Sequence, residues 1–153
     1  MEGTQEKIKQ HILKLLDLLK IEGTVAIDDR NGQLFFNITS EDSNMLIGHY
    51  GQNLKGLQHL ARLLARKDVL KGQLPQRFYV DVGDYRKERG VFLEALARKA
   101  ASRVRETKQT LILKPMNSSD RKMIHVTLSN FDDLITESVG DEPERRIVIK
   151  LKE

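Results

Sequence analysis

The chain has 153 residues, of which 39% are hydrophobic and 31% are charged, and it contains no cysteine. That length suits one ordinary domain or two small ones, and the lack of cysteine excludes disulfides and thiolate metal sites. The net charge of +4 suits an anionic partner without requiring one. No apolar run approaches the length of a membrane span, and the polar, acidic N-terminus is unlike a secretory signal. We therefore expect a cytoplasmic protein.

Hydrophobic periodicity organises the first part of the chain. Apolar residues at helical spacing predict an amphipathic helix over about residues 4–20. Two alternating segments then predict strands on either side of Asn31-Gly32. This dipeptide favours a hairpin because both residues tolerate positive φ. Polar residues follow, and residues 45–47 are long enough only for a short helical turn.

A four-residue turn, Gly48-His49-Tyr50-Gly51, comes next, and apolar periodicity then predicts a helix to about Arg66. Gly72 and Pro75 interrupt the chain before a third alternating strand at residues 78–82. The predicted order is α-β-β-α-α-β, with the turn between adjacent helices.

This order, with Gly-x-x-Gly between the helices, resembles a prokaryotic-type (type II) KH domain over about residues 4–83, and we assign residues 1–83 to it. The resemblance implies that the turn binds the backbone of about four nucleotides of single-stranded RNA. Glycine would let a phosphodiester approach backbone amides at a helix N-terminus. The alternative is that Gly48 and Gly51 only shape a turn between helices.

The second part of the chain begins near Asp84. Periodicity predicts a long basic helix over about residues 85–108, then a short strand at 111–113. Several N-cap residues precede a helix over about 118–130. Two strands at 134–138 and 146–151 complete an α+β pattern. The basic residues of the long helix are either a solvated face or the edge of a basic groove.

Arg121 and His125 are four residues apart, which places them on the same face of the predicted helix. Ile124 and Leu128 form the neighbouring apolar face, so we expect Arg121, Lys122 and His125 to be exposed. Arginine suits phosphate because its planar donors can bind two oxygens. We expect Glu137, Glu142 and Glu144 to form hairpin salt bridges with Arg145 and Arg146. The alternative for Arg121 and His125 is a surface pair without a ligand.

The segment Leu113–His125, together with the segment Thr136–Arg146, resembles the Arg-x-x-x-His single-stranded nucleic-acid-binding domain, over residues 84–153. A KH domain followed by this domain is typical of the Jag family of bacterial RNA-binding proteins, also called the SpoIIIJ-associated or KhpB family. We expect this chain to lack the N-terminal Jag domain and basic linker that members often carry. It also departs from the family at His49 and Tyr50, where basic residues are common.

The resemblance implies post-transcriptional regulation linked to cell elongation and division. It also implies a homodimer, or a heterodimer with a small single-KH-domain protein. We expect the following residues to contact single-stranded RNA, with single-stranded DNA left open: Ile47, Gly48, His49, Tyr50, Gly51, Gln52, Asn53, Lys55, Asn117, Ser118, Arg121, Lys122 and His125.

Two other functional classes remain. One is a protein-interaction adaptor with weak or vestigial RNA binding, which the lack of Lys or Arg inside the turn favours. The other is an enzyme such as a nuclease. We expect no enzyme, no cofactor and no metal, because the sequence shows no acidic metal cluster, nucleophile elbow or P-loop.

Overall fold

The computed structural model describes residues 2–68 and 77–152. These residues form two compact units, an N-terminal unit of Met1–Arg86 and a C-terminal unit of Lys87–Glu153. Helices and strands are mixed in both units, so the α+β class predicted from the sequence is confirmed. The predicted breaks at Gly72 and Pro75 lie outside the described residues.

The N-terminal unit has one three-stranded sheet, in the order β1-β2-β3. β1 and β2 are antiparallel, whereas β2 and β3 are parallel. Parallel neighbours need a crossover connection, and the helices between β2 and β3 belong to it. The predicted order of elements is therefore confirmed. In chain order these elements are α1 (Glu2–Leu18), β1 (Thr24–Arg30), β2 (Gln33–Thr39), α2 (Ser43–Ile47), a 3-10 turn (His49–Gly51), α3 (Gln52–Asp68) and β3 (Phe78–Val82).

The hairpin between β1 and β2 has the geometry that Asn31-Gly32 predicts. Asn31 and Gly32 have φ angles of 55° and 78°. The Gly32 amide donates to Asp29 Oδ1 at 2.8 Å. Positive φ at both central residues matches the twist of the flanking strands, so register follows from the turn.

Helices α1 and α3 pack on the sheet to form the core of the N-terminal unit. Each contributes the apolar stripe that periodicity predicts. The fully buried members of this core include Ile8, Ile12 and Leu16 of α1, Leu54 and Ala61 of α3, and Phe36, Ile38 and Val80 of the sheet.

The C-terminal unit has a three-stranded antiparallel sheet in the order β4-β6-β5, so β6 is central and β5 lies at an edge. The elements are α4 (Tyr85–Thr107), which begins in the N-terminal unit, β4 (Leu111–Ile112), α5 (Ser118–Leu128), β5 (Leu134–Val139) and β6 (Arg146–Leu151).

Small residues line the buried face of α4. Ala97, Ala100 and Ala101 belong to the same core as Ile124 of α5 and Ile149 of β6. Small side chains let neighbouring backbones approach closely, and the larger residues then fill the remaining space. Burial of the Ile124 face of α5 agrees with the sequence prediction and fixes which residues of α5 reach solvent.

Candidate nucleic-acid interface

The turn between α2 and α3 depends on left-handed backbone conformations. Gly48 has φ 70° and ψ −174°, a region that only glycine adopts readily. Tyr50 and Gly51 have φ angles of 50° and 78°. Three residues of the turn therefore reverse the chain within one short 3-10 segment, and α3 begins directly after it at Gln52.

Gly48 is also required by packing. A Cβ atom there would lie 2.5 Å from Cγ of Asn53. The Asn53 side chain is held in place because its Nδ2 donates to the carbonyl oxygen of Met45 at 2.7 Å. Asn53 thus ties the start of α3 to α2. The sequence prediction placed Asn53 against RNA and missed this structural role.

The amide groups of the two glycines are used within the turn. The Gly48 amide donates to the Asn44 carbonyl at 2.9 Å, and the Gly51 amide donates to the Gly48 carbonyl at 3.3 Å. A Cβ atom at Gly51 would lie 3.0 Å from Cε1 of Tyr85. These contacts support the interpretation of the glycines as turn-formers. They do not favour phosphate binding by the Gly48 and Gly51 amides, which the sequence analysis had expected.

His49 and Tyr50, between the glycines, are exposed. Their ring centroids are 4.0 Å apart, with ring planes inclined by 50°. Gln52 and Lys55, in the first turn of α3, are exposed as well. Ile47 differs, because it is only partly accessible and packs against the core. The outer surface of the turn therefore offers two rings and a lysine.

Helix α5 begins with a side-chain cap. Asn117 Oδ1 accepts a hydrogen bond from the Asp120 amide at 2.9 Å, which satisfies one of the amides left unpaired at a helix start. The Asp120 carboxylate is itself buried and pairs with Arg89 at 2.7 Å. The cap and the ion pair fix the first turn of α5 relative to α4.

Arg121 is buried, so the expectation of an exposed arginine is wrong. Only 9% of its side-chain surface is accessible. Nη1 donates to the Met116 carbonyl, and Nη2 donates to Oε1 of Glu142 at 2.6 Å. Glu142 returns to α5 from the turn between β5 and β6, and this neutralises the guanidinium.

The hairpin ion pairs also differ from the expected set. Glu144 pairs with Arg146 and Glu137 pairs with Lys150, whereas Glu142 pairs with Arg121 of α5. Glu142 was expected to bind an arginine within its own hairpin. The difference arises because the β5–β6 turn folds over the start of α5, a contact between residues that are 21 positions apart.

His125 is exposed one helical turn beyond Arg121, and its Nδ1 forms a hydrogen bond with the Thr136 hydroxyl of β5. Ser118 and Lys122 are also exposed on α5. The exposed polar surface of α5 therefore contains the histidine and lysine that the sequence predicted, without the arginine. Thr136 is a member of this site that sequence reasoning did not single out.

Most arginines of α4 within the C-terminal unit are neutralised. Arg98 pairs with Glu94, and Arg105 pairs with Asp133, whose pKa it holds below the usual aspartate value. With Arg89 paired to Asp120, the remaining basic residues of the helix contribute its positive charge. These are Lys87, Lys99 and Arg103, and all three are exposed. The α4 surface is thus less basic than its sequence suggests.

Within residues 2–68 and 77–152, no group of three or more His, Asp or Glu side chains is arranged to hold a metal ion. In the same residues, no helix combines the length and apolarity needed to cross a membrane.

Comparison with known proteins agrees with this geometry. A family model for the Arg-x-x-x-His domain matches residues 91–151. The RNA-binding protein KhpB of Clostridium symbiosum is 31% identical over 99% of this chain, which covers 68% of that relative. The chain belongs to the KhpB family. The KhpB protein of Bacillus subtilis (strain 168) is 32% identical over 96% of the chain and is covered to 70%.

The KhpB relatives differ in length. This chain covers 44% of the KhpB protein of Streptococcus pneumoniae serotype 2, to which it is 30% identical over 97% of its own residues. The similarity therefore includes both units, and the family predicted from the two motifs is confirmed. The family-model match includes Arg121 and His125, so the site on α5 lies inside the recognised domain.

Proposed function

We propose that this chain binds single-stranded RNA and does so without catalysing a reaction. The observation that carries the proposal is membership of the KhpB family across nearly the whole chain, since the relatives bear the name RNA-binding protein. Two exposed polar surfaces, one in each unit, support it.

The first proposed surface is the outer side of the Gly48–Gly51 turn. His49 and Tyr50 would stack on bases or donate to phosphate, as aromatic side chains do in single-strand binding. Gln52 and Lys55 would contact the backbone beside the start of α3. Ile47 would contribute an apolar contact at its accessible edge. Gly48, Gly51 and Asn53 would hold the shape that presents these side chains.

The second proposed surface lies on α5. Lys122 and His125 would contact phosphate or base directly, with Ser118 beside them. Asn117 would keep the helix start in place, and its contact with RNA would be secondary to the cap. Arg121 would act mainly through its bonds to Met116 and Glu142, because its guanidinium is buried and paired. Two modest surfaces on one chain reinforce each other through effective concentration.

The proposal includes a cellular role that rests on the family resemblance. The chain would act in the cytoplasm as a post-transcriptional regulator linked to cell elongation and division. It would form a homodimer, or a heterodimer with a small single-KH-domain protein. Light scattering on the chain alone and mixed with that protein tests the assembly. Incubation with labelled RNA and divalent metal tests the absence of catalysis, which clean turnover would disprove.

Binding at the turn is best tested away from the glycines. Replacing Gly48 or Gly51 would alter the turn itself, so lost affinity there would not separate contact from folding. Lys55→Gln removes one exposed charge beside the turn and should weaken binding of a short single-stranded RNA about threefold or more. Lys67→Gln removes an exposed charge from the last turn of the same helix and serves as the matched control. Equal effects of the two changes would argue against this surface.

The alternative function is a protein-interaction adaptor. Leu60 and Leu63 on α3 are exposed at 47% and 48%, and the turn contains no Lys or Arg, both of which suit a protein partner. A salt titration separates the alternatives, because release of counterions makes RNA affinity fall as salt rises. The adaptor would be favoured if no RNA bound even at low salt.

A further inference from the structure

The edge strand β5 presents two hydroxyl side chains on one face. Thr136 and Ser138 are two residues apart, so both point to the same side of the sheet. They pair in register with Ile149 and Ile147 of β6, which are both buried. The two hydroxyls therefore lie on the face that carries the core, at the edge of the sheet beside α5.

Each hydroxyl orients a basic side chain. Thr136 Oγ1 forms a hydrogen bond with Nδ1 of His125. Ser138 Oγ accepts a hydrogen bond from Nε of Arg145 at 3.0 Å. Because one strand supplies both hydroxyls, the imidazole and the guanidinium are held in a row along its edge.

Arg145 differs from the neighbouring arginines in its electrostatic surroundings. Among the described residues, no carboxylate lies within ion-pairing distance of Arg145, whereas Arg121 pairs with Glu142 and Arg146 pairs with Glu144. Nη1 and Nη2 of Arg145 lie beyond the Nε that Ser138 occupies. A guanidinium positioned through Nε and not neutralised can donate to the two oxygens of a phosphate.

We propose that His125 and Arg145 together bind two successive phosphates of a single-stranded RNA backbone, and that Thr136 and Ser138 are the residues that position them. This inference rests on the proposed function. The two hydroxyls are about 7 Å apart along the strand, since each residue advances about 3.3 Å. That separation is comparable with the distance between neighbouring phosphates in an extended single strand.

The backbone around Arg145 is fixed by Arg121. The Met116 amide donates to the Arg145 carbonyl at 3.2 Å, while the Met116 carbonyl accepts from Arg121. The buried arginine of the Arg-x-x-x-His pair thus supports the segment that carries the exposed one. Nδ1 of His125 is engaged by Thr136, so Nε2 is the ring nitrogen that faces away from the strand.

The test compares Arg145→Gln with Arg146→Gln in the full chain. Each change removes one positive charge from the same hairpin, but the two side chains lie on opposite faces of the sheet. The probe is a single-stranded RNA of about 12 nucleotides, and the affinity is measured over a range of salt. Arg145→Gln should weaken binding about tenfold and lower the salt slope by about 0.7, the value for one phosphate contact on a single strand. Arg146→Gln should change both quantities less.

A strand with a neutral methylphosphonate at one position locates the contact. The strand is scanned with one such group at each position, and the Arg145→Gln effect should disappear where the contacted phosphate is neutral. Thr136→Val keeps the shape of the side chain but removes the hydroxyl. It should weaken binding about threefold without altering the salt slope, and should change the His125 tautomer ratio in nitrogen NMR spectra.

The outcomes separate this inference from the proposed function. If the wild-type chain binds the RNA and Arg145→Gln matches Arg146→Gln in affinity and salt slope, the inference is wrong and the function stands. If the wild-type chain does not bind even at low salt, both fail. If Arg145→Gln unfolds, Arg145→Lys decides, because it keeps the charge and loses the Nε contact with Ser138. A preserved salt slope with weaker binding would then support the inference, and unchanged affinity would overturn it.

Discussion

The guanidinium of Arg121 donates to the carboxylate of Glu142, with 2.6 Å between Nη2 and Oε1. The Arg121 side chain is 9% exposed, whereas that of Glu142 is 58% exposed. A buried cation therefore has its partner at the surface, beside His125 and Lys122 on the same helix. The partner places a negative charge near the proposed phosphate contacts.

Replacing Glu142 should affect stability and RNA affinity in opposite directions. Glu142→Gln keeps the shape of the side chain but removes the charge that pairs with Arg121. We expect a loss of about 1 kcal/mol in unfolding free energy, since Glu142 is half exposed. RNA affinity at low salt should rise about threefold because a repelling charge is gone. Urea unfolding and RNA titration measure the two effects. Glu144→Gln, which affects the pair with Arg146, is the control, and an affinity that fell with Glu142→Gln would contradict the account.

Gly48→Ala should destabilise the N-terminal unit. The positive φ costs a non-glycine residue about 1–2 kcal/mol, and displacement of Asn53 would lose its bond to Met45, which contributes about 1 kcal/mol. We expect a total loss of about 2–3 kcal/mol in urea unfolding. Gly56→Ala is the matched control, because a Cβ at Gly56 meets no atom within 4 Å and alanine favours a helix. Similar stabilities for the two variants would show that the turn tolerates a side chain at Gly48.

Asn117→Ala should cost about 1 kcal/mol of stability, the usual contribution of an N-cap. Asn117→Asp should restore most of it, because a carboxylate can also accept from the Asp120 amide and favours a helix N-terminus. RNA affinity of the folded Asn117→Ala protein should stay close to wild type. A drop of tenfold or more in the folded variant would instead show direct contact between Asn117 and RNA.

Asp81 predicts a dependence of stability on pH. Its side chain is fully buried, and burial raises the pKa of its carboxyl above the usual aspartate value. Oδ1 accepts from the Val82 amide at 2.9 Å, but Oδ2 has no partner among the described residues. Between the usual and the raised pKa, the folded state binds more protons than the unfolded state, so stability falls as pH rises through that window.

Asp81→Asn removes this titration while keeping an oxygen for the Val82 amide. Its stability relative to wild type should therefore improve as pH rises through the acidic window and then level off, by about 1 kcal/mol near neutral pH. Urea unfolding over a pH series measures the difference. Asp17→Asn, at an exposed position, should show no such trend. A constant difference between Asp81→Asn and wild type at every pH would refute the prediction.

The elements of the fold could be predicted because their signals are local. Asn31-Gly32 specifies its hairpin through backbone conformation alone, and the apolar stripes of α1, α3 and α5 follow from helical spacing. The α-β-β-α-α-β order then follows from the sequence of elements. None of these conclusions needs knowledge of contacts between distant residues.

The site was harder to predict because its contacts join residues that are distant in sequence. Burial of Arg121 depends on Glu142, 21 residues later, and the orientation of His125 depends on Thr136 of another element. Helical spacing places Arg121 and His125 on one face, but it does not show that a hairpin turn covers the first of them. The role of Asn53 at Gly48 likewise depends on a contact that the motif does not encode.

The most direct test of RNA binding by this chain is the salt dependence of its affinity for a short single-stranded RNA. The account predicts measurable binding at low salt, with the logarithm of the association constant falling linearly as the logarithm of salt concentration rises. A duplex of the same sequence should bind more weakly, because the exposed rings of His49 and Tyr50 need unpaired bases. Absence of binding at the lowest salt, or equal binding of single strand and duplex, would contradict it.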